Sequence, residues 1–228
     1  MIVLNPDSLS ETLDSVNQAI FDGQPITSVE REGVANWIAG LQGGPRSYFG
    51  LFSPVDRDRA GSVRVFSGEP IKSKVGVSHI LGEEAGRALV LLKARDPAVK
   101  AALDRATAGI LERMGQEESH GNVCGIYCCG SCSVAYWRHV SIGGLNKNEE
   151  RLNAGMKELK SLRAGEGRWR RFPFYYTLLA LVDMDIKPAI DEMRYAAPAL
   201  ERYLKIPRIR GEYARRRRLL FERILAKC

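Results

Sequence analysis

The chain has 228 residues and a formal net charge of +7, with 34 Lys and Arg against 27 Asp and Glu. A chain of this length buries roughly 70–75% of its unfolded surface, so it requires neither disulfides nor a metal merely to fold. A hydrophobic share of 45% excludes a disordered polyelectrolyte. The longest apolar run, Phe172 to Val182, falls short of the roughly 20 residues of a bilayer span.

The opening MIVLNPDSLSETLDS has neither a basic n-region nor an apolar h-region, so no secretory signal is expected and a cytoplasmic location is. Ser10 to Phe21 then sets Leu13, Val16, Ala19 and Ile20 at helical spacing, with Pro25 ending this N-terminal element within residues 1–27. A second helix is expected through Val34, Trp37 and Leu41, stopped by Gly43, Gly44 and Pro45. Residues 45–76 read as a long irregular loop. In it SYFGLF and SVRVF suit short strands around a charged turn at Asp56–Gly61. A loop of that length serves as a lid or a binding segment.

Ser78 to Ala94 predicts a helix, and Asp96 to Met114 another. Further helices are expected over Tyr127–Val140, Asn148–Ala164, Pro173–Met184 and Pro188–Leu204, with a last one over Glu212–Ala226. Gly165–Trp169 reads as a loop, and residues 188–228 as basic C-terminal helices. The whole chain reads as one all-α domain, 1–228.

An internal repeat organises it. At an offset of forty-five, Cys132 aligns with Thr177, Ala135 with Ala180, Tyr127 with Phe172, and Met114 with Leu159. At an offset of forty-seven, Ala85 and Ala88 align with Cys132 and Ala135. Periods near forty-five residues are those of stacked helical hairpins, which hide their apolar faces against one another. Leu159–Leu181, LKSLRAGEGRWRRFPFYYTLLAL, resembles the repeat of the prenyltransferase and terpene-cyclase α/α-toroid superfamily, and Ala35–Phe52 is a weaker echo of it. About a third of the chain carries the likeness. It implies an open partial toroid of about three α/α hairpins plus terminal helices, completed by a partner chain if at all, with a concave cleft for an apolar or isoprenoid-like ligand. The family's catalytic motifs are not matched: there is no DxDD-type acid motif and no Asp, Cys and His set corresponding to its zinc ligands.

The stretch HGNVCGIYCCGSCSVAYWRH holds four of the five cysteines. Cys124, Cys128 and Cys132, with His120 as a fourth ligand, suit a tetrahedral zinc ion if Cys124 lies in a loop and the other two share a helix face. Cys129-Gly-Ser-Cys132 has the spacing of redox dithiols at a helix N-terminus, and four cysteines also allow iron–sulfur ligation. Packing as small apolar residues leads among these readings, because the aligned repeat positions hold no metal-binding types.

His79 with Glu83 and the adjacent Glu84 forms a candidate acid–base set. Convergence of inner-helix N-termini would gather these three with Cys128, Cys132, Trp169, Tyr175 and Tyr176 around one ligand cleft. Arg208, Arg210, Arg215, Arg216, Arg217 and Arg218 offer a surface for nucleic acid or an acidic partner, as in a non-enzymatic scaffold. Self-association is a further possibility for an incomplete repeat array.

Overall fold

A computed structural model of the protein describes residues 2–118, 125–206 and 211–228. Among them the chain is all-α, with ten helices and one two-stranded hairpin. No helix in these residues is long and apolar enough to cross a membrane.

The first elements are fixed by their caps. In α1 (Leu9–Phe21) the Ser8 side chain accepts from the Glu11 N–H, satisfying one of the donors a helix start leaves open. α2 (Ser28–Ala39) begins with a reciprocal capping box between Thr27 and Glu30. The expected charged turn is instead a short helix, α3 (Asp56–Ala60). Its buried Asp58 accepts from Ser8 Oγ at 2.8 Å and from the Leu9 N–H at 3.0 Å. Placing a carboxylate on the positive end of α1 satisfies orphan donors and complements the helix dipole together. The expected strands reduce to isolated bridges, Gln42 with Phe52 and Arg64 with Pro70. Leu51 and Phe52 are wholly buried, so this part of the 45–76 segment belongs to the core.

The fold is centred on α4 (Lys74–Leu92). Every residue from Gly76 to Leu89 is buried, polar ones included, as expected only of a helix surrounded by others. α6 (Gly130–Ser141), α1, α2 and α5 (Pro97–Glu117) pack against it. α8 (Phe174–Asp183) packs against α6 as well. α7 (Asn148–Ser161) leans on α6 and on α9 (Lys187–Leu204), and α10 (Ala214–Lys227) packs on α8 and α9. The segment expected as a loop after α7 is a tight antiparallel hairpin, β1 (Arg163–Gly165) with β2 (Arg168–Trp169).

The repeat positions are buried alike. Ala85, Cys132 and Thr177 occupy one buried slot of α4, α6 and α8, and Ala88, Ala135 and Ala180 the next. Small side chains at such positions favour close helix packing.

Between these helices lies a polar hub. Arg138 of α6 pairs with Glu84 of α4, and its Nε donates to Asp183 Oδ2 at the end of α8 at 2.9 Å. Arg87 of α4 donates to the same Asp183 at 3.0 Å and to Asn17 of α1 at 2.8 Å. Tyr176 of α8 donates to Glu84 at 2.5 Å. Burial disfavours the charge on Arg138, but the Glu84 and Asp183 carboxylates outweigh it and raise its pKa. Burial likewise opposes the Asp183 charge, and Arg87 and Arg138 overcome it, leaving the carboxyl below its ordinary value.

Arg216 and Arg217 of α10 are drawn onto the body of the fold, whereas Arg215 and Arg218 stay exposed. Arg216 binds both oxygens of Asp14 in α1, at 2.7 and 2.6 Å, and Arg215 lies 3.4 Å from Asp22. Arg217 donates to the Ser67 carbonyl and sits 3.9 Å from the Tyr175 ring centroid, while Arg218 pairs with Glu222. These contacts return α10 to α1. Arg208 and Arg210 lie outside the described residues.

Candidate metal and thiol site

Two corrections at the start of α6 define the site. The helix begins at Gly130, not Tyr127, and Cys128 before it has φ of 71°. Cys128 and Cys132 therefore do not share a helix face; a left-handed turn brings the first thiol back over the second. Such a conformation costs a non-glycine residue of order 1–3 kcal/mol, so the surroundings must enforce it. They do so through Ser133, whose hydroxyl accepts from the Tyr127 N–H at 2.8 Å and donates to the Tyr127 carbonyl at 3.2 Å. Gly130 completes the arrangement. A Cβ there would lie 2.1 Å from the Arg171 carbonyl oxygen, so only glycine lets the turn before α8 pass across the first turn of α6.

The other partner comes from α4. A ring nitrogen of His79 and the sulfurs of Cys128 and Cys132 all lie within 4.8 Å of one another, the one such ligand cluster among the described residues. The imidazole is wholly buried. It stacks on Tyr48 at 4.0 Å between centroids and meets Tyr127 edge-on at 4.5 Å. Neither ring nitrogen has a partner at hydrogen-bond distance; Nε2 is 3.7 Å from Glu83 Oε1.

Glu83 is buried too and accepts from His139 Nδ1 at 2.7 Å. Burial alone would raise its pKa, but the two flanking imidazoles outweigh that and hold the carboxyl at about 2. The result is a chain of groups leading from the thiols through His79 and Glu83 to His139. Room for the last ring is made by Gly86, where a Cβ would lie 2.7 Å from His139 Cε1.

The thiols border a groove of about 480 Å³, lined by Ile71, Ser73 and Gly76 before and within α4, by Cys129 and Cys132, and by Phe172. All four described cysteines are free; Cys128 and Cys129 are exposed and Cys132 is buried. Cys129 is the N-cap residue of α6. The Cys132 thiol and the adjoining backbone N–H groups bond its sulfur and, against its partial burial, bring its pKa down to about 5. The same contact with Cys129, together with burial, pushes Cys132 well up.

The remaining candidates lie elsewhere. Glu84 and Tyr176 belong to the polar hub, bonded to each other. Trp169 is buried against α9, its indole N–H donating to Glu192 at 2.8 Å. Tyr175 stacks on Phe221 of α10 and carries Arg217. Of the eight residues assigned to one cleft, His79, Glu83, Cys128 and Cys132 come together, and Glu84, Trp169, Tyr175 and Tyr176 lie apart from them. His120 and Cys124 lie outside the described residues. Sequence reasoning gathered His79 with Cys128 and Cys132 in one cleft but took His120 as the imidazole ligand, and it missed Tyr48, Tyr127 and His139. A histidine on α4 meets a cysteine on α6 only through the packing of those helices, which no local spacing records.

A scan against protein-family models, a search of curated proteins and a search of solved structures each return no match.

Proposed function

We propose that the chain binds one zinc-class divalent ion through a His79 nitrogen and the Cys128 and Cys132 thiolates, leaving a fourth position toward the groove. The observation that carries this reading is the wholly buried His79 ring, both nitrogens unpartnered, beside two thiols. An unsatisfied buried polar group costs about 1–3 kcal/mol, and a metal bond removes that penalty. Ligand atoms around a tetrahedral zinc stand about 3.5 Å apart, so closing from within 4.8 Å asks only for rotamer-scale movement. Glu83 Oε1, 3.7 Å from His79 Nε2, supports the site from behind that ring, the place that carboxylates take behind ligating histidines. Three protein ligands and one open position suit an ion that acts on a bound ligand rather than one that only staples the fold.

The test is metal content and competition titration on the full chain under reducing conditions. One equivalent of zinc is expected. H79A, C128S and C132S should each weaken binding by about tenfold or more, and C228S should leave it unchanged. Affinity equal in all four variants and the parent would refute the assignment.

A second reading concerns the groove itself. Ile71, Ile80, Phe172 and Pro173 give it apolar surface beside the thiols, which supports a small apolar ligand of the kind the toroid likeness implies. The return of α10 to α1 supports a ring-like array. Native mass spectrometry of freshly purified protein should retain such a ligand, and F172A should lose it; a ligand-free spectrum with an unchanged variant counts against this reading.

A further inference from the structure

Cys129 is not needed for the metal cluster, yet it is an exposed cysteine that lines the groove. One turn on, Cys132 is 2% exposed and lines the same groove. The first cysteine is open to a visiting molecule and the second is shielded. That asymmetry is what a dithiol exchange pair requires, since an attacking thiol must be reachable and a resolving thiol shielded from outside attack.

We propose that Cys129 and Cys132 carry out thiol–disulfide exchange with small organic disulfides that enter the groove. The Cys129 thiolate attacks one sulfur of R–S–S–R, forming a Cys129–S–S–R bond and releasing RS⁻. The Cys132 thiol, losing its proton, then attacks the Cys129 sulfur; a Cys129–Cys132 disulfide forms and the second RS⁻ leaves. Two protein sulfurs are oxidised and one external disulfide is reduced; the Cys132 proton balances one RS⁻, and the other takes from water the proton that Cys129 lost to water on forming its thiolate. Cys132 is also a ligand in the metal reading, and on that reading the metal-bound and disulfide forms exclude one another.

The experiment treats full-length, metal-free, reduced protein with oxidised glutathione, quenches with acid and maps the peptides by mass. The parent should yield the Cys129–Cys132 disulfide. C132S should accumulate the glutathione adduct on Cys129, and C129S should show about tenfold less adduct and no disulfide at Cys132. Cys228, exposed but far from the groove, is the internal control. An adduct no faster on Cys129 than on Cys228, or a disulfide in the parent that joins other cysteines, overturns the proposal; the parent measurement does so even if a variant fails to fold. Repeating the reaction with zinc separates the two readings. Protection by zinc supports the shared ligand. Exchange unaffected by bound zinc removes Cys132 from the metal site and leaves the exchange chemistry standing.

Discussion

At the scale of single residues, charge is placed where burial would forbid it without partners. Asp183 is held ionised by Arg87 and Arg138, so its carboxyl titrates below its ordinary value of about 3.8. A group with a depressed folded-state pKa contributes stability that is fully present above the unfolded value and is lost as pH falls through the folded one. D183N should therefore be less stable than the parent near neutrality, and the difference should shrink below about pH 3.8. Urea midpoints at pH 6 and pH 3 measure it; an unchanged difference would place the Asp183 contribution outside its charge. Near the thiols, E83Q should weaken zinc binding by about 10–100-fold while leaving the three ligands in place, as loss of a carboxylate behind a ligating histidine does. Competition titration reads that directly.

At the scale of elements, most helices could be read from apolar periodicity and caps: Ser10–Phe21 was expected and Leu9–Phe21 is found, as Asn148–Ala164 against Asn148–Ser161. Errors fall where a tertiary contact sets the backbone. Cys128 and Tyr127 have no local reason to leave the helix; the Ser133 hydroxyl and the crossing Arg171 backbone impose the turn. The short α3 exists because Asp58 is wanted at the α1 N-terminus, a partner about fifty residues away. The site divides in the same way: the cysteine cluster stands out in the sequence, but its histidine comes from another helix. G130A tests the crossing. Its methyl would overlap the Arg171 carbonyl, so a loss of about 1–3 kcal/mol is expected from urea unfolding. A change within error would mean that the two turns do not pass so closely.

At the scale of the whole molecule, α1, α4, α6 and α8 meet on two arginines, two carboxylates, Asn17 and Tyr176 rather than on an apolar core alone. R138M keeps the volume and removes the charge, leaving Glu84 and Asp183 buried with less compensation. Breaking a buried pair on one side typically costs about 3–5 kcal/mol. R216A, partly exposed on the α10–α1 seam, should cost about 1 kcal/mol or less. Equal losses in the two variants would contradict a hub that organises the fold from within.

The central claim is that α4 and α6 together build one metal site from His79, Cys128 and Cys132. Cobalt(II) added to the reduced, metal-free full chain tests it most directly, because thiolate ligation of this ion is visible in the spectrum. The account predicts one equivalent of tetrahedral cobalt with strong sulfur-to-metal charge-transfer absorption, diminished in C128S and C132S and altered in H79A. A weak octahedral spectrum without charge-transfer bands, the same in the parent and all three variants, would contradict it.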